Sequence, residues 1–410
     1  MRRLNVNRAI GIATYTIPIM ELTEYVPREE LERRWARTRR FMDCDSLIIL
    51  QNVDQYYLTG TIQTGVLWFP RDGEPLLAVR KSYERAKVES PLKNIVPLKK
   101  YSDLPALIPN PGQTIGFELD VVPFTTYQQV SEHFPKAKIV DGSMPVRLAR
   151  SVKTAYEIEC IRRAAQQLDT MFLDIPKQLR EGLPEFELAA RIEYVLRMAG
   201  HQGYTRVRRF NMEMHYGAVS FAETAAYPHA FDGPVGVRGL YPAVPTMGSR
   251  RALKRNEPVM IDICGGYAGY IADGSRTYCV GSVSQQMKDT HQYILELNNW
   301  IEEQLRPGNV PSRIYQAIMD RVETTSFAAH FMGAGENRVR FVAHSVGLEL
   351  DEIPVIAPKF DTPLERGAVL AVEPKVFYPG LGGVGVENTY LITEKGCERL
   401  TVSSMDIYSV

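Results

Sequence analysis

Two acids lie inside apolar runs in the segment VMIDICGGYAGYIADGSRTYCV, residues 259–280. Asp262 follows Val259–Ile261, a run typical of a buried strand, and Asp273 stands eleven residues later, after Ile271 and Ala272. An ionised carboxylate in such a run costs several kcal/mol unless a partner compensates its charge. The segment therefore predicts two buried acids that share a partner.

Further along the chain, three more ionisable residues interrupt apolar strands. Glu373 ends the run 369–372, Glu387 lies in the strand-like stretch 385–390, and His344 ends the run 341–343. No Lys or Arg stands at an obvious pairing position, so we expect a shared cation. Four carboxylates and one imidazole suit a pair of divalent ions such as Mn²⁺, Fe²⁺, Co²⁺ or Zn²⁺, about 3.5–4 Å apart.

The structural alternative is that these residues are ion-paired members of the core. For any one acid taken alone this is the better interpretation, because buried acids are usually paired for structural reasons. Five coincident buried polar residues need a common explanation, and this favours the metal site.

The five positions also carry a resemblance to a known family. The motifs IDICG (261–265), YIADGSRT (270–277), HSVGLE (344–349), VEP (372–374) and GVENT (385–389) resemble those of the "pita-bread" metallopeptidases. These are methionine aminopeptidase, aminopeptidase P, prolidase and, by fold, creatinase. Upstream, RSVK (150–153) with Glu157 and Ile158 resembles the hinge before their catalytic domain, and YYLTG (56–60) is similar to their N-terminal domain.

The resemblance covers nearly the whole chain and implies an α+β fold. A C-terminal pita-bread (creatinase/aminopeptidase) domain, residues 153–410, would follow a smaller α/β creatinase-type N-terminal domain, residues 1–152. It also implies a homodimer, in which the N-terminal domain takes part.

The resemblance further implies roles for the five residues. Asp262 would chelate the first of two divalent metal ions (Mn, Co, Zn or Fe), and Asp273 and Glu387 would bridge the two. His344 and Glu373 would hold the second. A bridging hydroxide would attack a peptide carbonyl, with Glu373 as its catalytic proton partner.

Relatives usually carry a Pro-His pair before the first Asp, whose His contacts the substrate. Pro228-His229 resembles that pair, but a long Gly- and Pro-rich loop, 230–249, then intervenes. An ungapped alignment would instead place Pro245-Thr246 there and lose the His. His229 and His215 are thus both candidate catalytic residues, with a plain core or surface histidine as the alternative for each.

Two further positions concern the substrate. Prolidases and aminopeptidase P usually carry a second His seven residues after the first, where this chain has Asp351. An acceptor in place of a donor changes how an oxyanion or substrate carboxylate is met, and opens a non-peptide substrate. Arg206 and Arg208 alternate on a predicted strand, with Arg209 opposite, and could clamp a substrate carboxylate. The alternative is a solvated strand face.

These residues lead to three functional hypotheses. The first is a dinuclear metal-dependent peptidase of the Xaa-Pro dipeptidase or aminopeptidase type. The alternative keeps the fold and metals but acts as a hydrolase or lyase on a small non-peptide metabolite, creatinase-like or zwitterionic. A non-catalytic binding module ranks last, because it predicts lost ligands and none is lost.

Composition excludes other classes. The 410 residues include 48 Lys+Arg and 48 Asp+Glu, and this zero net charge gives no electrostatic case for nucleic acid or a membrane surface. No run of 18 apolar residues occurs, and the apolar stretch 9–20 is broken by polar residues, so we expect no signal peptide. Five scattered cysteines predict free thiols and a cytoplasmic location.

Hydrophobic periodicity predicts the main elements. We expect helices at 29–42, 155–180, 185–198, 285–306 and 311–327. We expect strands at 46–50, 66–70, 75–80, 114–117, 136–140, 207–220, 258–264, 277–281, 340–343, 369–376 and 385–393.

Overall fold

A computed structural model describes residues 25–410. The apolar stretch 9–20 lies outside the described residues. Within residues 25–410, no helix is both long and apolar enough to cross a membrane. All five cysteines fall in this part of the chain, and none forms a disulfide there.

The first part of the chain forms a mixed sheet flanked by helices. Over residues 28–150, six strands pair in the order β4-β3-β2-β1-β5-β6, with β1 antiparallel to β2 and parallel to β5. All five strands predicted here are present. The elements are α1 (Arg28–Phe41), β1 (Ser46–Ile49), α2 (Asn52–Thr59), β2 (Gly65–Pro70), β3 (Leu76–Val79), α3 (Tyr83–Glu89), β4 (Asn94–Pro97), α4 (Leu104–Leu107), β5 (Thr114–Phe117), α5 (Phe124–Ser131), β6 (Lys138–Asp141) and α6 (Ser143–Arg150).

The second part carries the two largest sheets among its described strands, in the orders β17-β9-β8-β7 and β11-β10-β12-β15-β16, and a hairpin of β13 with β14. Its elements are α7 (Ala155–Gln178), α8 (Glu185–Met198), β7 (Gly217–Phe221), β8 (Pro258–Tyr267), β9 (Tyr270–Cys279), α9 (Gln285–Gln304), α10 (Pro311–Glu323), β10 (Ala343–Ser345), β11 (Glu352–Ile356), β12 (Val369–Val372), β13 (Lys375–Tyr378), β14 (Gly382–Gly385), β15 (Asn388–Ile392), β16 (Cys397–Arg399) and β17 (Tyr408–Ser409).

Helix α7 supports the strands that carry the first two acids. Thr154 and Glu157 form a capping box at its start: the Thr154 hydroxyl accepts from the Glu157 N–H, and the Glu157 carboxylate accepts from the Thr154 N–H. Its apolar stripe, including Leu168, packs on β8 and β9. A Cβ on Gly265 would lie 2.2 Å from the Ala164 carbonyl oxygen, so glycine permits this close approach.

The register of the β8–β9 hairpin places the first two acids on one face. Asp262 pairs with Ser275, and Cys264 pairs with Asp273. Because paired residues and residues two apart share a face in an antiparallel sheet, Asp262 and Asp273 are diagonal neighbours. The opposite face, with Arg276 over the Phe172 ring, packs on α7.

Several of the predicted strands differ from the observed ones. The stretch predicted as 369–376 is two strands in different sheets, β12 and β13, separated by Glu373-Pro374. Of the stretch predicted as 207–220, only its last residues form β7; the earlier ones make isolated bridges. The stretch predicted as 277–281 is the end of the longer β9.

A buried ion network joins the two parts. The Arg150 guanidinium lies 2.6 Å from Asp54 Oδ1, 2.8 Å from Glu349 Oε2 and 2.5 Å from Glu352 Oε1. Burial opposes ionisation of Glu352, but the charges of Arg150 and Lys153 and the hydrogen bonds that the carboxylate accepts together outweigh it and hold the pKa of Glu352 below its usual value. Lys153 extends the network, donating to Glu352 and to the Ser345 hydroxyl beside His344. The network therefore fixes the segment 345–352 against α2 and α6.

Replacing Arg150 should leave three buried carboxylates without the cation that they share. We expect Arg150→Ala to lower the free energy of unfolding by about 3–5 kcal/mol in urea titrations. Arg162→Ala, which removes a half-exposed pair with Glu398, is the control and should cost less than about 1 kcal/mol. An equal loss of unfolding free energy in the two variants would show that the network stabilises the fold no more than a surface ion pair does.

Candidate metal and active site

The five predicted ligands converge on one cleft. Asp262 comes from β8, Asp273 from β9, His344 from β10, and Glu373 and Glu387 from the positions flanking β12 and β15. All five line a cavity of about 600 Å³. An isolated bridge from Ser275 to Glu387 joins the two sheets at this point.

One side of the cluster has the geometry of an ion site. His344 Nε2 lies 3.9 Å from Asp273 Oδ2, 3.7 Å from Glu373 Oε1 and 3.8 Å from Glu387 Oε1. These distances are too long for direct hydrogen bonds, and ligand atoms around an ion with bonds of about 2.1 Å lie roughly 3–4 Å apart. Glu387 Oε1 is buried without a hydrogen-bond partner. An unpaired buried carboxylate oxygen facing an imidazole fits a divalent cation between Asp273, His344 and Glu387.

A lysine fills the other side of the cluster. Lys375 Nζ lies 2.7 Å from Asp262 Oδ2, 2.7 Å from Glu373 Oε2 and 2.8 Å from Glu387 Oε2. The expectation that no basic side chain pairs with these acids is therefore wrong. A signal was present in the sequence: Glu373 and Lys375 are two residues apart in an extended stretch, so their side chains share a face.

The pKa values of the carboxyl groups remain raised despite the positive charge of this lysine. Burial raises the pKa of Asp262 to about 6. Burial, followed by repulsion from Glu387 and Asp262, raises the pKa of Asp273 well above its usual value. One ammonium among four buried carboxylates leaves net negative charge, which a divalent ion would compensate.

Asp351 faces the second nitrogen of the ligand histidine. Its Oδ1 lies 3.6 Å from His344 Nδ1, and the side chain also lines the cavity. Burial raises the pKa of the Asp351 carboxyl. Its backbone has φ +63°, a conformation that Asp tolerates better than most residues. Asp351 can therefore orient the imidazole and meet a substrate from the same position.

His229 lines the cavity, but its ring is held by its own loop. Nε2 lies 2.7 Å from the Val235 carbonyl oxygen, and Nδ1 accepts from the Phe231 N–H at 3.1 Å. This pattern assigns the proton to Nε2 and leaves neither nitrogen for a substrate. Burial lowers the pKa of His229, so the ring is neutral. Pro245 and Thr246, from the alternative alignment, line the same cavity.

The structure does not support His215 or Arg206 as site residues. His215 is 46% exposed, lies 3.3 Å from Glu193 on α8, and is not part of the cavity wall. Arg206 stacks over Tyr204, also outside the wall. The backbone of residues 204–216 forms isolated bridges and no regular strand, so the predicted strand alternation does not hold there. Arg209, 2.5 Å from Asp232, lines an adjoining pocket that shares His344 and Asp351 with the cavity, and Arg147 and Arg208 line that pocket too.

The loop 230–249 forms one wall of the cavity. It contributes Phe231 to Val235, Val237, Pro245 and Thr246. Glu185, the first residue of α8, anchors the end of the loop: its carboxylate accepts from the Ser249 N–H and from the Phe221 N–H.

Comparison with known proteins follows the same division of the chain. A family model described as the Creatinase/Prolidase N-terminal domain matches residues 34–152. A model described as metallopeptidase family M24 matches residues 159–394.

Individual relatives agree along the chain. This chain is 28% identical over 385 residues to the Xaa-Pro dipeptidase of Pyrococcus furiosus. The match covers 92% of this chain and 100% of the relative. The solved prolidase from Pyrococcus furiosus superimposes with a TM-score of 0.73 at 27% identity, covering 89% of this chain and 99% of that one. The solved Xaa-Pro dipeptidase from Bacillus anthracis superimposes with a TM-score of 0.79 at 23% identity. The match covers 93% of this chain and 100% of that one, and it supports the fold.

An ion at Asp273, His344 and Glu387 should stabilise the folded chain. We expect Mn²⁺, Co²⁺ or Zn²⁺ at 100 times its Kd to add about 2.7 kcal/mol to chelator-treated protein, seen as a rise in Tm. Asp273→Asn should abolish this rise and melt no lower than the wild type without metal, because it removes a repelled carboxylate. Asp289→Asn, on the exposed side of α9, is the control. An unchanged metal-induced shift in Asp273→Asn would contradict the assignment.

Proposed function

Because the chain belongs to metallopeptidase family M24, we propose that it is a metal-dependent hydrolase of short Xaa-Pro peptides. The resemblance to the prolidase and aminopeptidase P group is confirmed, and so is the fold of a creatinase-type N-terminal domain before a pita-bread domain. The chain is a hydrolase of the metallopeptidase class.

The observation that carries the proposal is the cluster of Asp273, His344 and Glu387 around an unpaired buried oxygen. These residues would hold a divalent ion, with Mn, Co, Zn and Fe as the candidates. When bound, such an ion polarises a scissile carbonyl and acidifies a water. Asp262 and Glu373 are the predicted partners of a second ion, and both contact Lys375 in this structure.

The other groups have proposed roles that depend on position. Glu373 Oε1 faces the same side as His344, so Glu373 is the proposed proton carrier between the water and the leaving amine. His229 holds the wall of the loop 230–249 in place. Asp351 places a carboxylate beside the His344 ring, within reach of a substrate in the cavity.

The cleft suits a small substrate. Its floor carries the five candidate ligands, and the rest of its wall is largely apolar. Phe231, Pro234, Val235, Phe341 and Leu350 give it apolar walls, which fit a pyrrolidine ring. The Pyrococcus furiosus relative is an Xaa-Pro dipeptidase by name.

Arg209 is the proposed receptor for a substrate carboxylate, in place of Arg206. Arg209 lines a pocket next to the cleft, and Asp232, His344 and Asp351 line both. A bidentate bond to a C-terminal carboxylate would need only a rotation away from Asp232, since both side chains are more than half exposed.

A second candidate substrate is a small zwitterionic metabolite that is not a peptide. The observation that favours it is Asp351, an acceptor in a position where Xaa-Pro peptidases usually carry a histidine. Paired with Arg209 across the cleft, it could meet an ammonium group while the arginine meets a carboxylate.

Three broader expectations complete the proposal. The domains divide at 152/153, the chain forms a homodimer, and the protein works in the cytoplasm, as its free cysteines suggest. The zero net charge of the sequence gives no reason to expect nucleic acid or a membrane surface as a partner.

Turnover of Xaa-Pro dipeptides tests the function. We expect chelator-treated protein to be inactive and to recover on addition of Mn²⁺, Co²⁺ or Zn²⁺. Asp273→Asn should lower kcat/KM by about 100-fold or more, and Asp289→Asn should not change it. Reloaded, folded protein that leaves every Xaa-Pro peptide intact but converts a zwitterionic metabolite would favour the second candidate.

The two arginines form a matched pair for the carboxylate. Arg209→Met should raise KM for Xaa-Pro dipeptides by about 10-fold, since a charge-assisted bond contributes about 1.5–3 kcal/mol. Arg206→Met should leave KM unchanged, and C-terminally amidated substrates should not distinguish the variants. A KM effect confined to Arg206→Met would restore the sequence-based assignment.

A further inference from the structure

Lys375 is built into the centre of the acidic cluster rather than beside it. Its side chain is fully buried, and its three ammonium hydrogens meet three carboxylate oxygens, one each from Asp262, Glu373 and Glu387. An ammonium has three donors, so none remains for a substrate or a water. Lys375 is therefore a countercharge and not a proton donor in the reaction.

The same three carboxylates form one of the two groups in the described chain that could hold a metal ion. Their nearest oxygens lie within 4.8 Å of one another, as do the ligand atoms of Asp273, His344 and Glu387. The ammonium nitrogen sits 2.7–2.8 Å from all three oxygens of the first group. A metal ion between those oxygens would occupy the space of the nitrogen, so the two cations exclude each other.

The backbone leaves space for the lysine stem. Lys375 begins β13 and pairs with Gly385 of β14. A Cβ on Gly385 would lie 2.7 Å from Cα and Cγ of Lys375 and 2.7 Å from the Pro374 carbonyl oxygen. The Lys375 carbonyl accepts from the Met332 N–H at 2.9 Å. Gly385 thus leaves room for the stem, and the Met332 N–H holds the backbone from which the stem starts.

Glu387 shows how the cluster is divided. Its Oε2 accepts from Lys375, whereas its Oε1 is buried, unpaired and 3.8 Å from His344 Nε2. One carboxylate thus bridges the position that the ammonium fills and the position that fits a divalent ion. This is the arrangement of a two-cation site in which one cation belongs to the protein.

We propose that the Lys375 ammonium permanently replaces one of the two cations, so that the site binds a single divalent ion, at Asp273, His344 and Glu387. The charges agree with this count. Four carboxylates bring four negative charges, and the ammonium with one divalent ion brings three positive charges. Two divalent ions beside the ammonium would bring five and reverse the sign of a buried cluster.

The inference concerns the same site as the proposed hydrolase function but does not depend on its substrate. Metal stoichiometry is measured without any peptide. A failure to cleave Xaa-Pro peptides would leave the count of ions untouched, and a wrong count would leave the turnover assay untouched.

The experiment counts ions in chelator-treated protein reloaded with Mn²⁺. Calorimetric titration and elemental analysis should give one ion per wild-type chain, with the electron paramagnetic resonance spectrum of isolated Mn²⁺. Lys375→Gly should take two ions and show an exchange-coupled pair. Lys375→Arg, which keeps the charge, should take one, and Lys375→Gly combined with Asp262→Asn should return to one.

Each other outcome counts against the inference. Two ions in the wild type, or an exchange-coupled spectrum, would overturn it, and so would a wild type that binds no ion. One ion in both the wild type and folded Lys375→Gly would show that the lysine does not limit the count. If Lys375→Gly does not fold, the wild-type count and spectrum still decide.

Discussion

Mutual repulsion among four carboxylates is the constraint around which the second part of the chain is organised. Asp262 and Asp273 are carried by one sheet, while Glu373 and Glu387 flank strands of the other. Packing the two sheets together therefore brings like charges into a medium that screens them weakly. The Lys375 ammonium offsets part of this cost, and a cation beside His344 would offset more. Folding of this core and occupancy by cations are thermodynamically linked.

The surrounding architecture keeps that cluster accessible from one side. Helix α7 covers the back of the β8–β9 hairpin through the close approach at Gly265. The loop 230–249 supplies the opposite wall, with its end fixed by Glu185. A rigid back and a separately anchored front leave a small cleft whose floor is charged and whose walls are mostly apolar. Such a cleft suits a small molecule with a polar reacting centre.

Much of this was predictable because buried strands and amphipathic helices leave clear periodic signals. The capped helix α7 and the strand β8 follow their patterns closely, and the five candidate ligands were found as polar residues that interrupt apolar runs. Lys375 was not found, although it stands two residues after Glu373 and shares its face in an extended stretch. The change of sheet between β12 and β13 was also missed, because the apolar pattern continues across Glu373-Pro374.

The directions and hydrogen-bond partners of single side chains were harder to predict. The segment 204–216, which carries Arg206, Arg209 and His215, is irregular, so no repeating pattern predicts the direction of their side chains. His229 was predicted as a site residue and lines the cavity. The structure shows that both its ring nitrogens form hydrogen bonds with the backbone of its own loop. Local periodicity predicts which face is buried; it does not predict the hydrogen-bond partner of a residue in a loop.

The guanidinium of Arg150 has a consequence for how this architecture can change. It holds Glu349 and Glu352, on either side of Asp351, from a helix that precedes the catalytic part of the chain. If one half of the molecule were exchanged for that of a distant homologue, buried charges of one sign would be left unpaired where the two halves meet. The two halves are thus constrained to evolve together, and a chimera must carry both ends of this contact to keep the wall of its cleft in place.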